Sequence, residues 1–340
     1  MSQALKPPTQ NWRNTSWIDL FFSWIAQLPL PAWVIYLSLI ALFAFLDQWL
    51  FSLDSSPDLF DSIYGALALI ITFVINHWLH QVSISAFEQF QPSLKLSRKH
   101  IEKYRQKFIF ANPWIALLAT LLGISTFTSF WSIGMQEGMT ETTRSLPLAF
   151  IYGLILFGGN SGMIMYFMFN SLRRLKLISM LHKQVADIDL FNLNPLRAFS
   201  RVSSAAAISL LLYLAITQRF GTSPENIGFQ ISLGILAVVV FLVPLIGLRN
   251  KISAKREEQL KLISADLGLV AKQISSAVRN EDLDVLGKLK SGQDGLSFQR
   301  NEILSIRAWP WNTGTLRGFT SAFVLPIVIW LITRLLERFI

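Results

Sequence analysis

Residues 32–51 read AWVIYLSLIALFAFLDQWLF, an apolar run with one carboxylate, Asp47, and of the ~20-residue length a helix needs to cross a hydrocarbon core. Lipid offers no partner to backbone amides and carbonyls, so such a run is read as a helix whose hydrogen bonds close on themselves. Working outward, similar runs recur at about Phe60–Gln81, Pro113–Gly134, Pro147–Asn170, Val202–Thr217, Ile227–Leu248 and Gly318–Thr333. The expected fold class is therefore an all-α integral membrane protein of about seven transmembrane helices, three antiparallel hairpins plus a final span.

Composition agrees, because 52% of the 340 residues are hydrophobic and only 15% are charged, which excludes a soluble domain as the main body of the chain. The formal net charge of +9 does not point to nucleic acid, since the Lys and Arg residues lie between apolar runs and not along one soluble face. The absence of cysteine removes disulfides, thiolate nucleophiles and cysteine-bound metals. The N-terminus lacks the order of a cleaved signal peptide, so removal is not expected.

Loop charge sets the expected topology. The loop after the first run holds Asp54, Asp58 and Asp61 with no Lys or Arg, whereas Phe87 to Ala111 carries Lys95, Arg98, Lys99, Lys103, Arg105 and Lys107. A second basic stretch holds Arg173, Arg174, Lys176, Lys183, Arg197 and Arg201. Placing the basic loops inside puts the N-terminus in the cytoplasm; with the bacterial origin that the resemblance given below implies, the expected location is the plasma (inner) membrane of a bacterial cell. Arg334 and Arg338 at the end of the last run strain this arrangement, and a tilted or re-entrant last helix is the alternative.

Four regions follow: 1–31 cytoplasmic or interfacial, 32–248 a six-span membrane domain, 249–317 a helical cytoplasmic insert, and 318–340 the seventh span with the C-terminus. In the first, the aromatic stretch from Trp17 to Ile25 is stopped by Pro29 and Pro31 and is too short to span, so a helix lying on the bilayer is expected. In the insert, Leu260, Ile263, Leu267, Val270, Ile274 and Ala277 follow coiled-coil spacing, continuing the sixth span. Turn residues at 280–282 and 291–295 predict two short returning helices near Leu283–Leu289 and Leu296–Ile306.

The fourth run carries Phe157-Gly158-Gly159-Asn160-Ser161-Gly162-Met163 at its midpoint. Unwound, this segment would line a polar pathway through Asn160 and Ser161. Packed, Gly158 and Gly162 have the GxxxG spacing that admits a neighbouring helix, which is the commoner use of small residues in membranes. Either use makes this run central. His77 and His80 share a helix face but lack a third ligand, so no metal site is expected. Asp47 with Asp54, Asp58 and Asp61 would form an outer acidic mouth attracting cations, or reach the interface. The hydroxyls Thr120, Ser125, Thr126, Thr128 and Ser129 suit interhelical bonds or a polar lining equally. Pro244 and Pro326 permit kinks in the helices that flank the insert.

A short echo links two helix starts. Phe191-Asn192 and Leu196-Arg197-Ala198-Phe199-Ser200 match, 120 positions later, Trp311-Asn312 and Leu316-Arg317-Gly318-Phe319-Thr320. As lipid anchors, Arg197 and Arg317 would snorkel to anionic head groups while Phe199 and Phe319 sit at the acyl boundary. Trp309-Pro310-Trp311 with Thr315-Leu316-Arg317-Gly318-Phe319 resembles the C-terminal juxtamembrane element of uncharacterised bacterial multispan membrane proteins, which carry a segment like Asp189 to Arg201 as well. The resemblance covers about the last half of the chain and implies a bacterial membrane origin with no known activity.

No catalytic residue or cofactor is expected, because no nucleophile, metal set or acid pair stands out. The first functional expectation is a channel or transporter-like conduit for an ion or small solute, lined by the third and fourth runs and gated by the insert. The alternative is a non-conducting membrane sensor, scaffold or assembly factor whose insert docks a cytoplasmic partner. The bilayer with its anionic head groups is the expected partner in either case. The seam and the GxxxG spacing favour a homo-oligomer.

Overall fold

The computed structural model describes residues 15–51, 59–94, 96–133, 147–184, 189–217, 224–280 and 283–306, with 309, 314, 316–324 and 328 beyond them. Every regular element among these residues is helical, and six helices are long and apolar enough to cross a membrane. The expected seventh run is helical at 316–324, and most of its remainder lies outside the described residues.

Helix α1 (Trp17–Gln27) starts at Ser16, whose hydroxyl accepts from the Asp19 amide and so satisfies one of the four free donors of the first turn. The sequence predicts a helix lying on the bilayer. In the structure Ile18, Asp19, Phe22 and Ile25 are buried against the bundle, and Trp17 and Trp24 face outward at 46% and 52% exposure. Apolar spacing of three and four on one face gives α1 a stripe to dock.

Helices α2 (Ala32–Phe51) and α3 (Leu59–Phe90) pack together, and a 3₁₀ turn at Gln91–Ser93 leads to α4 (Arg98–Ile109) and α5 (Pro113–Ile133). Asn112 opens α5 by accepting from the Trp114 amide at 3.0 Å, and Pro113 takes the first helical position, where its missing donor costs nothing. Next, α6 (Pro147–Gly153) passes through a π-helical turn, Leu154–Gly158, into α7 (Gly159–Gln184), which packs along α5. The next pair is α8 (Asn194–Thr217) with α9 (Pro224–Arg279), and α10 (Leu283–Ser305) folds back along α9.

Three expected helix ends move. The second run, predicted to stop at Gln81, continues to Phe90 because Ser83, Ala86, Phe87 and Phe90 are buried against the interior. The fourth, predicted to stop at Asn170, continues to Gln184, so Arg173, Arg174 and Lys176 lie on helix and not in a loop. The fifth starts at Asn194 instead of Val202. In each case apolar residues past the span pack on the main core, as Phe87, Ile178 and Phe199 do, and this burial outweighs the local polarity that marked the expected end.

The fourth run, expected to be central, packs as α7 against α3, α5, α8 and α9; α8 is the most enclosed of the six, with 72% of its apolar window buried against 17% for α2. Small residues explain it, since Ser203, Ser204, Ala205, Ala206 and Ala207 are all buried and let neighbours approach from several sides. Helix α9 runs 56 residues through Pro244 without a break, crossing the expected boundary at 248/249.

The two short helices expected after it are one helix, α10. Gly292 and Gly295 sit inside it with nothing within 4 Å of a built Cβ. Their propensity cost of ~1 kcal/mol each is offset by packing of Leu296, Ile303 and Ile306 on the core that includes Ile263. Gly292→Ala is therefore expected to raise the melting temperature of the detergent-solubilised protein, by up to about 1 kcal/mol in stability. A loss of stability would indicate a turn at that position.

Candidate functional site

Of the segments singled out by sequence, 158–162 is the most tightly placed. A Cβ built on Gly123 of α5 would lie 2.2 Å from the Gly158 carbonyl oxygen and 2.9 Å from the Gly162 Cα, so the two backbones touch. A Cβ built on Gly162 would lie 3.1 Å from the Ala119 carbonyl oxygen, and one built on Gly159 would lie 3.3 Å from a Leu69 methyl of α3. Ala116 and Ala119 are buried on the same helix as Gly123, a small-residue stripe that the sequence reading did not pair with span four. Asn160 turns to α8, where its Nδ2 donates to the Tyr213 hydroxyl at 3.3 Å, and its Oδ1 is buried without a hydrogen-bond partner. Ser161 is half-buried. On α5, Thr120, Thr126, Thr128 and Ser129 each donate to a carbonyl of their own helix. Gly123→Ala is expected to force α5 and α7 apart at a cost of about 1–3 kcal/mol, read as a lower melting temperature; an unchanged value would mean that the backbones do not meet here.

The most polar buried cluster lies elsewhere, at the break between α4 and α5. Helix α4 ends inside the protein, where its last carbonyls have no intrahelical donor. Two adjacent arginines of α7 supply donors. Arg174, 2% exposed, donates to Phe108 O at 3.4 Å, Ile109 O at 3.2 Å and Leu79 O of α3 at 3.4 Å. Arg173 donates to Lys107 O and to Phe110 O at 2.7 Å, and is held by Asn170 Oδ1. Four consecutive carbonyls, those of residues 107–110, thus face two guanidinium groups at the negative end of a helix dipole.

Asp19 faces the other side of the same break. Its Oδ2 accepts from the Ala111 amide at 3.1 Å and from the Ser16 hydroxyl at 2.7 Å, and its Oδ1 is 3.9 Å from His80 Nδ1. Ser16 and Asp19 bond reciprocally, in the manner of a capping box. Tyr166, 2% exposed, packs in one core cluster with Ile18, Phe22 and Ala111. Burial raises the Asp19 carboxyl above the ordinary carboxylate range, opposed by the Ser16 and Ala111 hydrogen bonds and by the field of Arg174. The cluster therefore ties α1, α3, α7 and the α4–α5 connection together through one carboxylate and two cations.

The two histidines expected to share a face both meet Phe22 of α1. His77 stacks on that ring at 5.1 Å and hydrogen-bonds the Tyr36 hydroxyl at 2.9 Å through Nδ1. Among the described residues no group of three His, Asp or Glu side chains could hold a metal ion.

Asp47 accepts from Ser62 Oγ at 2.7 Å, a bond between α2 and α3 that Gln48 joins at 2.9 Å. Asp61 is exposed in the first turn of α3, and Asp54 and Asp58 lie outside the described residues. The two echoed segments differ in surroundings. Phe199 is 1% exposed between Phe90 and Phe108, inside the protein and not at the expected acyl boundary. Arg197 is half-buried, with an Nε that lacks a partner. Arg317 is exposed, and Phe319 is half-buried with its ring stacked on Phe241 at 3.9 Å. Trp309 lies under the Arg249 guanidinium at 4.6 Å, and Trp311 is outside the described residues.

The sequence reading passed over Asp19, Arg173 and Arg174 because an acid in an aromatic stretch and two adjacent arginines after a span look like interfacial charge. One signal was available: Ser16 followed three positions later by Asp19 ahead of an apolar run is the spacing of a helix start with an inward carboxylate. No family model, no curated protein and no solved structure matches the chain.

A raised folded-state value means that the native protein binds the Asp19 proton more tightly than the unfolded chain does. The contribution of Asp19 to stability is then greatest at acid pH and falls as pH rises from the ordinary carboxylate range through the raised value. Asp19→Asn is expected to flatten this segment of the stability–pH profile. Asp19→Ala, which orphans the Ala111 amide, should cost about 1–3 kcal/mol at every pH. Thermal melts across pH check both, and a mutant profile parallel to the wild type would show that Asp19 does not titrate there.

Proposed function

We propose that the protein is a non-conducting membrane scaffold or sensor, not an enzyme, in which the bundle anchors the chain and the α9–α10 hairpin docks a protein partner on the cytoplasmic side. The observation that carries this reading is the hairpin itself. At 1.5 Å per residue, the 56 residues of α9 extend about 84 Å, of which a bilayer core takes about 30 Å. The seam residues Leu260, Ile263 and Leu267 pack with Leu296, Ile303 and Ile306 in the shared core. Arg256 donates to the Ile303 and Leu304 carbonyls and fastens the returning end. This leaves Leu262, Leu269 and Phe298 exposed at 55%, 59% and 66%. Leu262 and Leu269 stand seven residues apart and share one face of α9.

The bundle also favours an anchor, since Gly158 and Gly162 lie in backbone contact with α5 and the α5 hydroxyls bond to their own helix. A conduit keeps one observation on its side, the buried and unpartnered Oδ1 of Asn160 beside a π-helical turn, a local irregularity often found at functional sites. A photo-crosslinking residue placed at Leu262 or Leu269 in cells, with proteoliposome flux measured on the same chain, separates the two. The scaffold reading expects a discrete adduct at these positions, none at the exposed Lys272, and flux no greater than that of empty vesicles. Flux abolished by Asn160→Leu, without adducts, would replace it by the conduit.

A further inference from the structure

Beside the α4–α5 break, a cleft of about 490 Å³ opens at the surface, lined by Trp17, Pro113, Trp114, Leu117 and Thr120. Its walls are almost wholly apolar, and Trp17 Nε1 donates to Thr120 Oγ1 at 3.2 Å, which fixes one wall to the other. Trp114 is 71% exposed and Leu117 46% exposed. Tryptophan is concentrated where acyl chains meet head groups, and α4 lies between two helices that are long and apolar enough to span, so this end of α5 sits at a membrane face.

The helix leading into the cleft supplies charge. On α4, Tyr104, Phe108 and Ile101 turn inward, while Arg98, Lys99, Lys103 and Lys107 are exposed. Arg105 is engaged by Glu88 and Glu102, and Arg173 by backbone carbonyls. Lys99, Lys103 and Lys107 form no ion pair among the described residues. Lys107 stands in the last turn of α4, a few residues before Pro113, so a cationic helix face ends where the apolar cleft begins.

We propose that this juxtaposition is a binding site for one anionic phospholipid, with an acyl chain in the Trp17–Trp114–Leu117 cleft and the phosphate at the lysines of α4. The site is separate from the hairpin and does not depend on what the hairpin docks. Charge selects the head group, since a zwitterionic lipid gains little from the α4 face, while the cleft confines the lipid to one position. Each exposed lysine near an anionic head group is expected to favour it by roughly fivefold.

The test is native mass spectrometry of the full chain released from nanodiscs of equimolar dioleoyl phosphatidylglycerol and dioleoyl phosphatidylcholine. The wild type should retain one phosphatidylglycerol in preference to phosphatidylcholine. Leu117→Trp, which fills the cleft from an already exposed position, should lose that lipid. Lys103→Gln with Lys107→Gln should reduce the preference by an order of magnitude or more, roughly fivefold for each lysine, and melting temperatures equal to wild type would show that both variants fold. Equal retention of the two lipids by the wild type overturns the proposal. Unchanged retention in Leu117→Trp overturns the cleft, leaving only a diffuse charged surface, and unchanged preference in the lysine variant overturns head-group selection.

Discussion

A helix that ends inside protein leaves carbonyls behind it and amides ahead of it, and both must find partners where water is scarce. The break between α4 and α5 meets this constraint with Arg173 and Arg174 on the carbonyls of residues 107–110 and with Asp19 on the Ala111 amide. Much of the architecture hangs on that solution. The arginines fix the depth of α7 against α4, Arg174 reaches Leu79 of α3 as well, and Asp19 brings α1 in from the interface. Buried charge of this kind is costly unless every lone pair and proton is used, which explains why the cluster is so densely hydrogen-bonded.

Elsewhere the bundle is held by shape. Apolar side chains gain little by leaving lipid for protein, so helices associate through close approach and dispersion contacts. The Gly123–Gly158–Gly162 contact and the small residues of α8 are two instances, one letting backbones touch and the other letting several helices share a partner. The large aromatics Phe87, Phe90, Phe108 and Phe199 then fill the space at the α4 end of the bundle. One long helix, α9, continues from the bundle into the hairpin. Trp309 under Arg249 and Phe319 on Phe241 bind the returning chain to that same helix.

Several features were legible from local pattern. Runs such as residues 32–51 can be nothing but helix in lipid, and the heptad spacing of Leu260 to Ala277 announces a helix with a partner. The GxxxG spacing announced a close contact but not its counterpart, because Gly123 lies far away in sequence and carries no signal of its own. Residues 291–295 misled, since Ser, Gly and Asp have turn chemistry locally and are nonetheless carried through a helix once Leu296 and Ile303 pack on α9.

The sequence alone determined what must be helical, because apolar length and periodicity act within one segment and depend on hydrogen bonds that each helix closes for itself. Only the tertiary structure decided which polar residues are interior. Asp19, Arg173, Arg174 and Phe199 look like interfacial residues as written, and they become the buried centre because helix ends from distant parts of the chain meet there and need charges to satisfy them. Burial of a charge is a property of its neighbours, and hydrogen-bond partners 63 to 95 positions apart leave no trace in a local window.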